Sequence, residues 1–235
     1  MPKKISKRLK KALELLEAGK SYSIAEAAEL LGKFPKAKFD ESVEIAFKMT
    51  IDPRKTDQMI RGTVRLPHGS GKEVNVLVFA KEGEAADAAK EAGAEYVGFD
   101  EYIEKVTSGW TDFDVAVATP EAMAEVRKLG RVLGPRGLMP NPKTGTVTDD
   151  TAKAVKEVKA GRVEYKLDKG ANIQVLAGKV SFSSDQILEN IKTIIDEVIK
   201  AKPSAAKGRY IDNCVLSSSM SPGIPLDLRE VLKGL

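Results

Sequence analysis

The sequence is poor in the side chains on which most enzymes depend. Its 235 residues include one histidine, His68, and one cysteine, Cys214. A single histidine excludes a multi-histidine zinc site and a two-histidine iron triad. A Ser–His or Cys–His pair would have to use His68, and no nucleophile-elbow pattern surrounds any serine. A single cysteine excludes an intramolecular disulfide and fits a reducing cytoplasm. No apolar run approaches the roughly 20 residues needed to cross a bilayer. The N-terminal MPKKISKRLKKALELLEAG is basic but has no apolar stretch of the secretory kind. It is lysine-rich with acids from Glu14 onward, unlike the Arg- and Ser-rich transit peptides.

Phosphate-binding loops are missing as well. PHGSGKE (67–73) resembles a Walker loop, but Leu66 stands where its first glycine belongs and Glu73 where its magnesium-binding hydroxyl belongs. HGSG suits a turn between domains instead. No G-x-G-x-x-G follows any strand in the middle of the chain. Neither a metal nor an organic cofactor is expected.

What remains is a composition of 42% apolar and 31% charged residues, enough for one large globular domain or two smaller ones. The middle and the ends read differently. VNVLVFA (74–80) and FDVAVATP are apolar runs of the kind buried on both faces. Between and after them lie helical stretches, EAADAAKEAG, DEYIEKVTSG and EAMAEVRKLGRVLG, with the short strand AEYVG among them. DDTAKAVKEVKAG then reads as a helix capped by Asp149 or Asp150 and stopped by Gly161. Strand–helix alternation implies a parallel sheet.

At the N-terminal end two helices are expected, the second opened by the capping box Ser23-x-x-Glu26. SVEIAFKMTI then alternates, with Val43, Ile45, Phe47, Met49 and Ile51 on one face of a half-buried strand. The strands after residue 161 are its obvious partners. The expected fold is therefore α/β and α+β. A discontinuous α+β domain from both termini (1–68 and 160–235) carries an inserted Rossmann-like three-layer α/β domain (69–159). Charge follows the same division: residues 69–160 hold 12 Lys/Arg against 16 Asp/Glu, and the two ends 26 against 18. A basic domain beside an acidic one fits a polyanion that meets only the first, though solvated surface charge gives the same count.

Several stretches are open to two readings. KKISKRLKK (3–11), on a helix with Leu9, Leu13 and Leu16 as its apolar face, suits either phosphate or membrane contact or plain solvation. Phe39, flanked by lysines in KAKFDE, could stack on a base, yet its phase with Val43 and Ile45 suits the core equally. VLSSSMSPG (215–223) offers hydroxyls and a flexible methionine to a ribose or phosphate, or forms an ordinary polar loop. GRVLGPRGLMPNPKTGTV (130–147) holds four glycines, three prolines and the cations Arg131, Arg136 and Lys143, with no acid. It reads as a structural linker, as a secondary RNA contact, or, in an enzymatic reading of the βαβ domain, as a loop for a phosphorylated substrate.

Six segments together resemble one family. AKFDESVEIAFKMTIDPRKTDQMIRGTVRLPHGSGK, GAEYVGFDE, GWTDFDVAVATPEAM, LGRVLGPRGLMPNPKTGTV, VKAGRVEYKLDKGANI and AKGRYIDNCVLSSSMSPG are similar to the bacterial ribosomal protein L-one family, from about Lys7 to Gly223. The resemblance implies a non-enzymatic, cytoplasmic protein of the large ribosomal subunit, monomeric when free and without membrane contact. It implies direct binding of large-subunit rRNA to form the mobile stalk, release of deacylated tRNA from the exit site, and repression of its own operon mRNA. The rRNA-binding residues it implies are Lys38, Phe39, Ser219, Met220 and Ser221. Arg131, Arg136 and Lys143 are candidates for secondary RNA contacts. Ser221 stands where the family has glycine, so a crowded backbone approach is expected there. The crossings at His68, Gly69 and Gly71 and at Ala160 and Gly161 are expected to form a hinge. The tail after Gly223 has no counterpart in the resemblance.

Overall fold

The computed structural model describes residues 6–206 and 208–232, so Lys3 and Lys4 of the basic N-terminal run lie outside the described residues. In chain order the elements are α1 (Lys7–Glu14), α2 (Ile24–Lys33), β1 (Ser42–Met49), β2 (Arg61–Arg65), β3 (Val76–Phe79), α3 (Glu84–Glu91), β4 (Tyr96–Gly98) and α4 (Asp100–Thr107). There follow β5 (Val115–Ala118), α5 (Met123–Val126), α6 (Gly130–Arg136), α7 (Thr151–Lys159), β6 (Arg162–Lys166), β7 (Asn172–Lys179), α8 (Ser184–Lys200), β8 (Ile211–Ser218), β9 (Ile224–Pro225) and α9 (Leu228–Val231). Contacts divide them into two compact units, Met1–Gly71 with Val163–Leu235, and Lys72–Arg162.

In the first unit β1 lies between β7 and β8, antiparallel to both, and β9 extends the far edge. Val43, Ile45, Phe47 and Met49 are all but fully buried, in one core with Ala27, Ala28 and Leu31 of α2 and Ile191 and Ile194 of α8. Each such side chain contributes about 1.5–3 kcal/mol, so a one-residue slip of β1 would cost roughly 6–12 kcal/mol, which fixes its register. Ser23 and Glu26 form the expected capping box on α2, and Ser183 with Gln186 does the same for α8.

The tail is part of this core. Leu226 donates its N–H to the Cys214 carbonyl, Tyr22 bonds the backbone of Pro225 and Asp227, and Glu230 Oε2 accepts from the Ile24 N–H at the start of α2. The tail thus covers the β8 edge and supplies a second cap to α2. Helix α1 departs from the expected leucine face: Ala12 is its buried residue, Leu9 and Leu16 are partly buried, and Leu13 is 42% exposed. The methyl of Ala12 admits close approach, and that turns Leu13 to solvent.

The second unit has the parallel sheet β4-β3-β5. Val76 and Val78 pack on one face against α3 and α7; Leu77 and Phe79 pack on the other against Val106, Val126 and Leu133 from α4, α5 and α6. A strand buried on both faces has to be apolar throughout, as VLVF is. Asp150 caps α7 through the Lys153 N–H, and Gly161 (φ 92°) follows its end. The helical stretch expected to end at Gly134 runs on to Arg136 and takes in Pro135, whose missing N–H removes one bond from its last turn. Leu133 is fully buried and holds that helix, and Gly137 (φ 73°) ends it.

Candidate nucleic-acid interface

The antiparallel register of β1 and β8 sets the beginning of one against the end of the other. Val43 pairs with Ser218, the Ser219 N–H donates to the Ser42 carbonyl at 3.0 Å, and the Ser42 N–H donates to Ser219 Oγ at 3.1 Å. The Lys38–Phe39 and Ser219–Met220 segments, about 180 residues apart in the chain, therefore adjoin. Both apolar side chains stand in solvent, Phe39 at 54% and Met220 at 52% exposure. Phe39 does not join the inward row of β1, because the chain bends at Lys38 and Phe39 before the strand begins. Asp40 fixes that bend from the other side, accepting from the Ser181 N–H and hydroxyl at 3.1 and 2.8 Å.

The inward place that Phe39 vacates begins instead with Glu41, only 5% exposed. Its Oε1 accepts from the Ala37 N–H (2.9 Å) and from Arg8 Nη1 (3.2 Å). Its Oε2 accepts from the Ser218 hydroxyl (2.6 Å) and the Met220 N–H (3.1 Å). Burial opposes ionisation of this carboxyl, but the hydroxyl, the two N–H groups and the guanidinium outweigh it and hold it below the ordinary carboxylate range. Arg8 also donates from Nη2 to the Met220 carbonyl at 3.3 Å. Sequence reading missed Glu41, Arg8 and Ser218. The available signal was an acid in phase with Val43, Ile45 and Phe47.

Residues 218–221 form a turn in which the Ser221 N–H donates to the Ser218 carbonyl at 3.2 Å. Ser221 Oγ accepts from the Ser218 N–H at 2.8 Å and donates to the Pro222 carbonyl at 2.9 Å. Its hydroxyl is thus spent on the turn. The hollow beneath, bordered by Arg8, Phe34, Glu41 and Met220, measures about 10 Å³, room for one water at most. The face is a filled platform with raised apolar side chains, suited to stacking rather than to swallowing a base.

The other sequence candidates lie elsewhere. Arg131, Arg136 and Lys143 are exposed and belong to the Lys72–Arg162 unit, where the Arg136 guanidinium bonds the Thr111 hydroxyl. The end of the 130–147 stretch buttresses the sheet: the Ala118 N–H donates to the Thr146 carbonyl, and the Thr148 N–H to the Ala118 carbonyl. His68 pairs with Glu189 at 2.6 Å, and its N–H donates to Asn190 Oδ1. Gly71 (φ 68°) backs onto Lys179 and Phe182 so closely that a Cβ would stand 2.8 Å from Lys179 Cγ.

A cavity of about 1080 Å³ opens beside the ends of β3 and β4. Six carboxylates line it, Glu82, Asp87, Asp100, Glu101, Glu121 and Glu125, against Lys81 and Lys90. Such a lining repels phosphate, and no residue of 130–147 borders it, so it offers nothing to a phosphorylated substrate. No group of three or more His, Cys, Asp and Glu side chains arranged for a metal occurs among the described residues.

Together these features define a mixed α/β protein. The Ribosomal protein L1p/L10e family matches residues 31–222, and the chain belongs to it, a family of structural, non-enzymatic proteins. Curated relatives named large ribosomal subunit protein uL1 agree. That of Bacteroides thetaiotaomicron is 56% identical over 228 residues, covering 97% of this chain and 98% of its own. That of Leifsonia xyli is 55% identical over 226 residues, 96% and 98%. That of Kosmotoga olearia is 54% identical over 233 residues, 99% and 100%.

Proposed function

We propose that the chain is a structural constituent of the large ribosomal subunit that binds large-subunit rRNA directly, through Lys38, Phe39, Ser219, Met220 and Ser221. The observation that carries this reading is the pairing of β1 with β8, which sets two exposed apolar side chains beside hydroxyls and lysines on one polar strand end. Side chains reach RNA outside regular helices by stacking and by bonds to 2′-OH groups, and this face offers both. The family and its curated relatives support the ribosomal setting, and with it a cytoplasmic place on the ribosome.

In this reading the two compact units are a discontinuous α+β RNA-binding domain and an inserted Rossmann-like domain. The latter swings about the crossings at His68–Gly71 and Ala160–Gly161 as part of the mobile stalk. Its exposed Arg131, Arg136 and Lys143 serve as secondary contacts to RNA, including deacylated tRNA leaving the exit site. The same face binds the operon mRNA and represses its translation, so free protein represses and ribosome-bound protein does not. The test is a binding titration of the whole protein against large-subunit rRNA, with the operon mRNA as competitor. Displacement of one RNA by the other is expected. Simultaneous binding of both at full affinity would overturn the single-face reading.

A further inference from the structure

Glu41 is a buried carboxylate that begins the inward row of an apolar strand, a costly place for a charge unless every oxygen is satisfied. Three of its four partners lie in or next to the segments that make the candidate interface, and the fourth, Arg8, comes from α1. One oxygen takes the Ala37 N–H and the Arg8 guanidinium, the other the Ser218 hydroxyl and the Met220 N–H. The oxygens thus divide the segments between them: Oε1 holds the Lys38–Phe39 bend and α1, and Oε2 holds the Ser219–Met220 turn. Arg8 closes the ring by reaching the Met220 carbonyl.

We infer that Glu41 is the positioning residue of the RNA face, a two-ended strut that sets Phe39 and Met220 at their working separation before RNA arrives. The inference rests on the proposed rRNA-binding face. A bend and a turn presented on two loops would otherwise have to be ordered at the moment of binding, and that cost is subtracted from affinity. The strut removes it. A bare carboxylate at such a face would repel phosphate; its place beneath Met220, paired to Arg8, neutralises it. Its chemistry is also specific. Glutamine retains the shape but carries one acceptor oxygen, so one end of the strut faces an amide nitrogen that cannot accept. Aspartate retains the charge but is one methylene short of spanning both segments.

The test compares the parent, Glu41→Gln and Glu41→Asp for binding to large-subunit rRNA purified from bacterial ribosomes, beside amide hydrogen exchange of the free proteins. Both variants should bind roughly tenfold or more weakly. Their salt dependence should equal the parent's, because Glu41 touches no phosphate. Exchange should quicken at Ala37 and Met220 and stay slow at Ile45 and Phe47 in mid-strand. A purely fold-holding carboxylate would instead quicken exchange throughout β1 and leave the affinity of the folded molecules unchanged. Parent-like binding by Glu41→Gln, or weak binding without faster exchange at Ala37 and Met220, overturns the strut. Lys38→Ala and Met220→Ala separate the two levels. If they lose affinity while Glu41→Gln does not, the face stands and the strut falls. If they too bind like the parent, the face itself is misassigned and the strut falls with it.

Discussion

The side chain of Asn190, fully buried in α8, donates from Nδ2 to the Gly69 carbonyl at 3.1 Å. The same nitrogen donates to the Ala177 carbonyl at 2.8 Å, and its Oδ1 accepts from the His68 N–H at 3.2 Å. One side chain therefore fastens the first crossing to both α8 and β7. Asn190→Leu leaves an N–H and two carbonyls short of partners, and should lower the unfolding free energy by about 1–3 kcal/mol in a denaturant titration. It should also quicken exchange at His68. A stability within a few tenths of the parent's would show that water replaces these bonds without penalty.

Much of the fold was legible because local rules and burial agreed. Ser23 with Glu26, Asp150 and Gly161 mark helix ends by chemistry that acts within one turn, and the β1 alternation survives because a slip is so costly. The candidate face was half legible. Lys38, Phe39, Ser219 and Met220 were identifiable through resemblance, but the phase of Phe39 could not be read, since a bend at residues 38–39 interrupts the period. Glu41 escaped because its partners lie far off in sequence, and only the β1–β8 register brings Ser218 and Met220 to it. Pro135 misled in the opposite direction: proline argues for a loop, yet the burial of Leu133 carries the helix through it.

The exposure of Phe39 gives its substitution a definite sign. Phe39→Leu should leave the melting temperature within about a degree of the parent's and weaken rRNA binding. Met220→Ala should cost about 1–2 kcal/mol of affinity, the scale of one lost stacking contact, without altering the salt dependence. Lys38→Ala should instead reduce the log–log salt slope by about 0.7–0.9, one counterion's share. A salt series on the three variants checks all of this; a fall in melting temperature with unchanged affinity for Phe39→Leu would return that residue to the core.

Cys214 lies fully buried in β8, and burial pushes its thiol up to about 12. Burial raises the Tyr210 hydroxyl as well. A group whose acid form is favoured in the folded state contributes stability that is complete below its unfolded pKa, near 8.5 for a thiol, and is lost as pH climbs toward the folded value. Stability should therefore decline from about pH 8.5 upward, and less steeply between about pH 8.5 and 10 in Cys214→Ala, where the buried Tyr165 and Tyr210, both also raised, remain. The thiol should resist alkylation by iodoacetamide until denaturant unfolds the chain. Prompt labelling of the native protein would place the thiol at the surface.

The charge division predicts which unit meets RNA. With the observed bounds, Lys72–Arg162 holds 13 Lys/Arg against 16 Asp/Glu, and the remainder of the chain 25 against 18. Phosphate neutralisation supplies much of any RNA affinity, so the basic unit should carry it. That unit is also structurally self-sufficient, since β1 takes both sheet neighbours, β7 and β8, from the C-terminal part of the chain. The Leu167 N–H donates to the Ile60 carbonyl, setting the start of β2 against the end of β6. The end of β2 and the start of β6 therefore neighbour one another, and a short Gly/Ser linker can replace the insert without straining either strand. A chain joining residues 1–71 to 163–235 in this way should fold cooperatively and bind large-subunit rRNA within roughly threefold of the parent, with a similar salt slope. The isolated 72–162 segment, acidic overall, should bind at least about tenfold more weakly. The opposite ranking, with the joined termini folded but unable to bind while 72–162 retains affinity, would transfer the interface to the inserted unit and make Arg131, Arg136 and Lys143 its primary contacts.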